Sequence, residues 1–347
     1  MIIVLKKHST DEDVKQVEDK VMEMGYEPHT IRGEVRTVVA AVGDETALGN
    51  LESLKALSAV DNVMPVQKKF KLISRESHPE GNIVRIGDLE IGNGTFHVVA
   101  GPCSVESEEQ ILDTATQIRD LGASMLRGGA YKPRTSPYDF QGLGEEGLDL
   151  LGLAKNRTGL PVVTEILRES DIPKVAAVAD VLQIGARNAM NYALLEAVAQ
   201  TGKPVLLKRG LAATVQEWLL AAEYIAKQGH LQIILCERGI RTYENATRNT
   251  LDLSAVAIAK RETCLPVFVD PSHAAGRLDL IEDLSRASVA VGADGLLVEV
   301  HNNPDVALSD AAQQLRPEAF ADLLKSIEPL IEVMGKKAYQ VPELAPA

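Results

Sequence analysis

From residue 96 onward, short runs of β-forming residues alternate with stretches of helical periodicity, and this alternation limits the choice of fold. The runs are HVVAG, SMLRGG, PVVTEI, VLQIGAR, PVLLKRG, QIILCERG, PVFVDPSH and DGLLVEVH. Helices are predicted between them at 107–121, 145–157, 170–178, 191–201, 214–228 and 278–291. Eight strand–helix units in roughly 240 residues predict a (β/α)8 barrel. An open doubly wound sheet is the alternative, but no GxGxxG motif follows the first run.

The first 70 residues predict a small ferredoxin-like α+β domain with the element order βαββαβ. Its clearest strands are MIIVLKK, RTVVAAVG and VDNVMPVQK, and a short helix is expected at 48–57. A longer helix is expected after Ser9 or Thr10, since either is an N-cap residue and acids follow. The residues expected on one face of that helix are Val14, Val17, Val21 and Met22.

Between the two units, KLISRESHPEGN is a predicted linker and NIVRIGDLEIGNGTF a predicted hairpin that turns at Gly87 and Asp88. We therefore divide the chain into three parts. They are a small domain at 1–70, a linker and hairpin at the base of the barrel at 71–95, and the barrel itself at 96–340.

Composition excludes several classes of protein. A net charge of −13 argues against general nucleic-acid binding, because the chain would repel phosphates. No apolar run reaches the roughly 18–20 residues of a membrane span, and MIIVLKKHSTDEDVK lacks the form of a secretory signal. Three cysteines are too few for a disulfide framework, so reduced thiols are expected. We expect a cytoplasmic enzyme that binds neither nucleic acid nor membranes.

Every predicted barrel strand ends in an ionisable or metal-binding side chain. In strand order these are Cys103, Arg127, Glu165, Arg187, Lys208, Glu237 with Arg238, Asp270 with His273, and Glu299 with His301. One such residue is as often a solvated loop side chain as a functional one. Because a barrel brings all its strand ends to one rim, eight together predict an active site there.

The basic members of this group form a candidate anion site. They are Arg127, Lys132, Arg134, Arg187, Lys208 and Arg238. A single arginine is more often half of a surface ion pair, but this many cations around one mouth repel each other unless anions lie between them. Guanidinium groups bind phosphate and carboxylate oxygens in pairs. The pattern predicts a substrate set with more than one phosphate or carboxylate group.

A second group predicts a divalent-metal site formed by Cys103, His273, Glu299 and Asp310. Thiolate, imidazole and carboxylates together suit a mixed site that leaves room for water or substrate. Cys236 and Cys264 are interpreted as ordinary core thiols. Cys103 differs because Gly-Pro ends the strand just before it, which predicts a side chain at the barrel mouth and a thiolate open to oxidation.

Several long segments resemble one family. They are AGPCSVES, LRGGAYKPRTSPYDFQGLGEEGL, IGARNAMN, LLKRG, CERGIRTYENATRNTLD, VDPSHAAGR and VEVH. Over roughly residues 80 to 335 the chain is similar to the 3-deoxy-7-phosphoheptulonate (DAHP) synthases, in the branch related to 3-deoxy-octulosonate 8-phosphate synthase. The first 70 residues resemble that branch's ferredoxin-like, ACT-like regulatory extension. The segment KPRTS favours the heptulosonate enzymes, since the octulosonate enzymes have a KANRSS-like segment there.

The resemblance implies a condensation of phosphoenolpyruvate with erythrose 4-phosphate, the first step of the shikimate pathway. It implies phosphoenolpyruvate contacts from Arg127, Lys132, Arg187, Lys208 and Arg238, and erythrose 4-phosphate contacts from Lys132, Pro133, Arg134, Thr135 and Ser136. Lys132, Glu165 and Asp270 are implied as catalytic residues. Cys103, His273, Glu299 and Asp310 are implied as ligands of one divalent ion (Mn, Fe, Co, Zn or Cu), with Asp305 as the competitor of Asp310 in HNNPDVALSD.

The resemblance also implies feedback by an aromatic amino acid or by a late pathway intermediate. It further implies a homo-oligomer, a tetramer, in which such domains associate between subunits. An oligomerisation or solubility element is the alternative for the small domain, and His29 in the candidate effector region is not assigned as a ligand. Three other functions remain open at this point. They are an octulosonate 8-phosphate synthase that uses arabinose 5-phosphate, a class I aldolase with Lys208 as Schiff-base nucleophile, and an inactive sensor of phosphorylated metabolites.

Overall fold

The computed structural model of the chain describes residues 1–33, 36–43, 51–64 and 69–339. At the N-terminus, four strands form an antiparallel sheet in the order β2-β3-β1-β4. Their bounds are Ile2–Leu5 (β1), Glu27–Arg32 (β2), Thr37–Val42 (β3) and Val60–Met64 (β4). A helix, Asp11–Glu23 (α1), follows β1, and a 3-10 helix, Leu51–Ala56, precedes β4. This is the ferredoxin-like arrangement expected from the sequence.

Helix α1 begins with a reciprocal capping interaction between Thr10 and Asp13, so Thr10 rather than Ser9 is the N-cap. Val14, Val17 and Val21 are buried against the sheet, as predicted. The prediction for Met22 was wrong, because its side chain is 53% exposed. It lies one residue, or about 100°, beyond Val21 on the helix, which turns it out of the buried stripe.

Two of the N-terminal predictions extend beyond the described residues. The predicted helix at 48–57 appears as the 3-10 helix, and its first three residues lie outside the described ranges. The predicted strand VDNVMPVQK is present as β4, and residues 65–68 are likewise outside them.

The linker after this domain is fixed to the outside of the barrel by one partly buried carboxylate. Glu223 accepts hydrogen bonds from the backbone N–H groups of Lys71, Leu72 and Ile73, at 2.6, 2.8 and 3.1 Å. Burial raises the pKa of Glu223, and these backbone donors oppose that shift. A segment that reads as a flexible connection in sequence is therefore held in one place.

Eight parallel strands, all within the described range 69–339, form a closed barrel in sequential order, and the last pairs with the first. They are Thr95–Gly101 (β7), Met125–Arg127 (β8), Val162–Glu165 (β9), Val181–Ile184 (β10), Val205–Lys208 (β11), Ile233–Glu237 (β12), Val267–Val269 (β13) and Gly295–Glu299 (β14). A short strand after the barrel, Lys337–Ala338 (β15), adds to the start of β7. The predicted (β/α)8 barrel is confirmed and the doubly wound alternative is excluded.

The helices predicted between the strands are all present within a few residues of the expected bounds. They are Glu108–Leu121 (α2), Glu145–Thr158 (α3), Ile172–Val178 (α4), Tyr192–Ala199 (α5), Val215–Lys227 (α6) and Ile281–Ala290 (α9). The structure adds three that the periodicity did not predict, Leu253–Glu262 (α7), Pro271–Ala275 (α8) and Pro317–Val333 (α10).

The lower end of the barrel is closed by the predicted hairpin, Val84–Ile86 (β5) and Leu89–Ile91 (β6). Its apolar side chains pack against residues that point into the barrel, including Val99, Phe268 and Cys236. The interior is thus a filled core at this end, which leaves the opposite end, among the described residues, as the place for a site.

The first strand ends at Gly101, whose φ of +141° is unfavourable for other residues. A Cβ there would lie 2.1 Å from the carbonyl oxygen of Arg127, so only glycine permits this approach. Gly101 therefore brings the chain that carries Cys103 against the end of β8.

No described helix is long and apolar enough to cross a membrane.

Candidate active site

A cavity of about 260 Å³ lies at the carboxyl ends of the barrel strands. Among the described residues, its lining is dominated by cations and contains few apolar groups. The ionisable members are Lys132, Arg134, Asp139, Glu165, Arg187, Lys208, Arg238, Arg248, His273 and Asp310. Most of the candidate site residues therefore do converge, as the barrel geometry predicts.

Arg127 was expected to be one of the cations at the mouth, but it lies behind the wall of the cavity. Its guanidinium is buried and donates to Oε1 of Glu299 at 2.7 Å and to the carbonyl oxygen of Cys103 at 3.1 Å. Arg127 thus holds two members of the candidate metal site.

Asp270 is also fully buried and is absent from the cavity lining, although a substrate contact was expected. One of its oxygens lies 2.5 Å from Nζ of Lys208 and 2.7 Å from Nδ1 of His273. The other accepts the backbone N–H of His273 at 2.9 Å, as the N-cap of α8. Burial opposes ionisation of Asp270, yet His273 and Lys208 hold its pKa well below the ordinary value. Asp270 therefore positions two cavity residues.

The four candidate metal ligands lie together even though Cys103 and Asp310 are 207 residues apart in sequence. One donor atom from each of Cys103, His273, Glu299 and Asp310 lies within 4.8 Å of all the others. The separations include 3.5 Å from Sγ of Cys103 to Oδ2 of Asp310, 3.4 Å from Nε2 of His273 to Oε1 of Glu299, and 4.0 Å from the same Nε2 to Oδ2 of Asp310. Ligands about 2.0–2.3 Å from one tetrahedral ion are about 3.3–3.8 Å apart, so the residues fit a divalent ion.

The imidazole of His273 is oriented for this role. The carboxylate of Asp270 beside Nδ1 favours a proton on that nitrogen, which leaves the lone pair of Nε2 facing Glu299 and Asp310. Burial lowers the pKa of His273 to about 4, so the ring is neutral near pH 7. A neutral imidazole is the form that binds metals.

The expectation that Cys103 is an exposed, oxidisable thiolate was wrong. Its side chain is fully buried and does not line the cavity. Burial, together with the nearby carboxylate of Glu299, raises the pKa of the thiol to about 12. A bound cation would have to displace that proton, and the thiol is otherwise protected from solution oxidants.

Lys132 connects the cavity with the donor cluster. Its Nζ lies 3.0 Å from both the sulfur and the carbonyl oxygen of Cys103, while the residue also lines the cavity. Burial opposes its charge, yet its pKa lies above the ordinary value because Cys103, Glu299 and Glu165 are close. Lys132 is thus an ammonium group at the boundary between the two parts of the site.

The segment KPRTS lies along one wall of the cavity, with Lys132, Pro133, Arg134 and Thr135 in its lining. The guanidinium of Arg187 donates to the hydroxyl of Thr135 at 3.2 Å, which joins this wall to the end of β10. Ser136 does not line the cavity, and its Oγ instead accepts the N–H of Tyr138.

Two further strand-end residues, Glu237 and His301, lie outside both the cavity lining and the donor cluster. Glu237 is fully buried and binds Arg209 at 2.9 Å, and His301 lies 3.4 Å from Glu106. Asp305, the competitor of Asp310, is exposed and pairs with Arg316 at 2.6 Å. The structure therefore places Asp310 in the donor cluster.

Sequence reasoning missed three residues at the site. Arg248 and Asp139 line the cavity, and Gln313 donates to Oε2 of Glu299 at 2.6 Å. Arg248 and Asp139 occur within the segments that carry the family resemblance, which is the signal that could have identified them. Gln313 gave no signal, since a lone glutamine has no characteristic chemistry.

The fold and the site together define a (β/α)8-barrel enzyme with a strongly cationic pocket for phosphorylated substrates, beside a cluster of thiol, imidazole and carboxylate donors. Comparison with known families is more specific. Residues 67–333 match the DAHP synthetase I family and residues 1–68 match the DAHP synthase ferredoxin-like domain. The chain belongs to the DAHP synthetase I family.

Two kinds of curated relative are similar to the chain. A phospho-2-dehydro-3-deoxyheptonate aldolase of Thermotoga maritima is 52% identical, over 97% of this chain and 99% of its own length. A 2-dehydro-3-deoxyphosphooctonate aldolase of Francisella tularensis is 32% identical over 73% of this chain and 99% of its own length. One from Paraburkholderia xenovorans is 34% identical over 70% of this chain and 94% of its own length.

Two solved structures are also similar. The crystal structure of the Thermotoga maritima DAHP synthase has a TM-score of 0.77 and 51% identity, covering 97% of this chain and 98% of that one. A truncated form of the synthase from the same organism has a TM-score of 0.73 and 53% identity, covering 78% of this chain and 99% of that one.

Proposed function

We propose that this protein condenses phosphoenolpyruvate with erythrose 4-phosphate and water, giving 3-deoxy-D-arabino-heptulosonate 7-phosphate and phosphate, the first step of the shikimate pathway. The observation that carries the proposal is one cavity lined by a KPRTS wall and several cations, which reaches the four-donor cluster through His273 and Asp310. The Thermotoga relative supports it, because the similarity includes the small N-terminal domain as well as the barrel.

The cations fit the charges of these substrates. Phosphoenolpyruvate carries a phosphate and a carboxylate, and the aldose carries a second phosphate. Arg187, Lys208 and Arg238 line the cavity together with Glu165, and Arg134 lies in the KPRTS wall. Holding two anions at reacting distance requires their repulsion to be neutralised, which these groups accomplish. We assign phosphoenolpyruvate to the first set and the aldose phosphate to Arg134 and Thr135.

The reaction joins C3 of phosphoenolpyruvate to the aldehyde carbon of the aldose. Water adds at C2, and the hemiketal phosphate then loses phosphate through cleavage of its C–O bond. A divalent ion, when bound by Cys103, His273, Glu299 and Asp310, supplies Lewis-acid polarisation of the aldehyde oxygen. Lys132, an ammonium group beside that cluster, donates a proton or stabilises the charge that develops on the oxygen.

The geometry disfavours the class I aldolase alternative. A Schiff-base lysine must present an unprotonated amine to the substrate carbonyl. Nζ of Lys208 lies 2.5 Å from the buried carboxylate of Asp270, and an ammonium paired in this way has no lone pair available for attack. We therefore interpret Lys208 as a binding cation. The intact cation and donor sets also support an active enzyme over a sensor.

An assay of phosphate release with two acceptor sugars tests the proposal. With phosphoenolpyruvate, we expect erythrose 4-phosphate to give a kcat/KM at least about tenfold higher than arabinose 5-phosphate, the difference of roughly 1.4 kcal/mol that one well-matched contact supplies. A metal chelator should abolish turnover with either sugar, and added divalent ion should restore it. Preference for arabinose 5-phosphate would assign the chain to the octulosonate enzymes. Turnover that a chelator does not affect would show that the reaction does not depend on a metal.

We further propose that the N-terminal domain binds an aromatic amino acid as a feedback inhibitor, in a homotetramer located in the cytoplasm. Removal of residues 1–70 should leave turnover within about twofold while abolishing inhibition by tyrosine or phenylalanine, because the cavity draws no described residue from that domain. The truncated form of the Thermotoga synthase, whose structure covers 78% of this chain, supports folding of a shortened chain. Inhibition that persists after truncation would place the effector site in the barrel, and an uninhibited full-length enzyme would make the domain an assembly element.

A further inference from the structure

A chain of hydrogen bonds outside the proposed ligand set connects its two carboxylates. Nε2 of Gln313 donates to Oε2 of Glu299 at 2.6 Å, and Oε1 of Gln313 accepts from Nη1 of Arg248 at 3.0 Å. The same Nη1 donates to Oδ2 of Asp310 at 3.0 Å. The path from Glu299 to Asp310 is therefore continuous and passes through one carboxamide and one guanidinium.

The chemistry of Gln313 permits only one orientation in this chain. Its amide nitrogen faces an acceptor-only carboxylate and its oxygen faces a donor-only guanidinium. A flipped amide would place oxygen against carboxylate and N–H against N–H, losing both bonds. Since Gln313 and Glu299 are only 2% and 0% exposed, water cannot replace those bonds. The buried amide is therefore fixed at both ends.

Arg248 is placed by the short helix that also carries His273. Its backbone N–H donates to the carbonyl oxygen of Ala275 at 2.9 Å. Gly276, which directly follows this helix, has a φ of +68°. A Cβ at position 276 would lie 2.4 Å from Cβ of Arg248. Glycine at 276 thus allows the Arg248 segment to pack against α8, which couples the position of its guanidinium to that of the imidazole.

The turn that contains Gln313 also contacts the remaining ligand. Oε1 of Gln314 accepts the backbone N–H of Cys103 at 2.9 Å, and its Nε2 donates to the carbonyl oxygen of Ser309 at 2.8 Å. Ser309 directly precedes Asp310, whose φ is +48°. The main chain on both sides of Asp310 is therefore tied to the segments that carry the other three donors.

We propose that Gln313 and Arg248 are positioning residues, which fix the separation and orientation of the Glu299 and Asp310 carboxylates and thereby set the affinity of the site for its divalent ion. This inference rests on the metal site of the proposed function. Hydrogen-bond partners of metal ligands limit the rotation of those ligands, and their loss typically costs about 10- to 100-fold in metal affinity. Neither residue needs to touch substrate to have this effect.

The test measures binding of Mn(II) and Co(II) to full-length protein by competition with a chromophoric chelator. Gln313→Met keeps the length of the side chain but removes both hydrogen bonds, and we expect it to bind Mn(II) about 10- to 100-fold more weakly. The absorption bands of the Co(II) complex should also shift, because carboxylate geometry alters the ligand field. Arg248→Met should also weaken Mn(II) binding. This variant is expected to fold, because the side chain of Arg248 is 40% exposed.

Gln232→Met is the matched control, because the carboxamide of Gln232 also bridges two groups, Arg85 and Ile83, near the base of the barrel. Gln232→Met should lose about as much folding stability as Gln313→Met. It should nevertheless retain the Mn(II) affinity and the Co(II) absorption bands of the wild type. If Gln313→Met and Arg248→Met bind Mn(II) as tightly as the wild type, the positioning role is wrong while the metal site stands. If the wild type itself binds neither ion, the metal site of the proposed function fails and this inference fails with it.

Discussion

Replacing Cys103 with serine should lower kcat for the condensation by about a thousandfold at ordinary metal concentrations. Polarisation of an aldehyde oxygen by a metal is worth several kcal/mol, and each tenfold in rate corresponds to about 1.4 kcal/mol. The thiol is one of only four donors in the described cluster, and a serine hydroxyl is a far weaker ligand for the ions that thiolate favours. The measurement is steady-state phosphate release, with the metal content of each preparation determined in parallel.

Cys264→Ala is the control for this change. Cys264 is also buried, but its carbonyl oxygen accepts the N–H of Asn82 in the linker, at the end of the barrel away from the cavity. That variant should keep full turnover and full metal content. A Cys103→Ser enzyme with normal metal content and normal turnover would contradict the proposed ligand role, because nothing else in the site requires a thiol at this position.

Replacing Lys132 with methionine should lower kcat/KM by about 10²- to 10⁴-fold, the usual contribution of a positioned proton donor. The ammonium group lies 3.0 Å from the sulfur of Cys103 and also faces the cavity, so its loss affects the charge at the reacting aldehyde. Lys132→Arg should not restore activity, since a planar guanidinium is larger than the ammonium and cannot occupy the same 3.0 Å contacts. Kinetics with each substrate varied in turn give the two constants.

Because Lys132 also contacts a proposed metal ligand, the measurement must separate catalysis from metal binding. Saturating Mn(II) should leave the Lys132→Met defect in place, whereas recovery of turnover would show that the lysine acts only through the metal site. Lys155→Met removes an ion pair with Asp180 on the outside of the barrel and should leave kinetics unchanged. Near-normal turnover of Lys132→Met without added metal would exclude a catalytic role.

The architecture was predictable because it follows from periodicity. Eight apolar runs separated by amphipathic stretches leave few arrangements other than a barrel, and the resulting strands close in sequential order. The error at Met22 shows the limit of this reasoning, since the edge of a buried stripe depends on how the helix packs against its sheet. The five-residue helix α8 is too short to show a period, whereas α10 buries Phe320, Leu323 and Ile327 on one face, so its periodicity could have been found from the sequence.

The composition of the site was predictable for a related reason. Residues at the carboxyl ends of the strands must face one rim, so His273, Lys208 and Arg238 could be placed together before any distance was known. Which of these residues faces the substrate and which one positions another residue was not predictable. Asp270 was expected at the substrate, yet it lies beneath the cavity and binds both Lys208 and His273.

The order of the strands, the residue types at the mouth of the barrel and the family of the chain could all be predicted without coordinates. Which strand-end residue faces the cavity, and which one supports it from behind, became clear from the three-dimensional arrangement alone. Arg127 donates to Glu299, and Cys103 is buried away from solvent. Gln313 and Arg248 together connect the carboxylates of Glu299 and Asp310. The physical reason is that periodicity depends on neighbours along the chain, whereas burial and hydrogen bonding depend on residues from distant strands that meet only in the closed barrel.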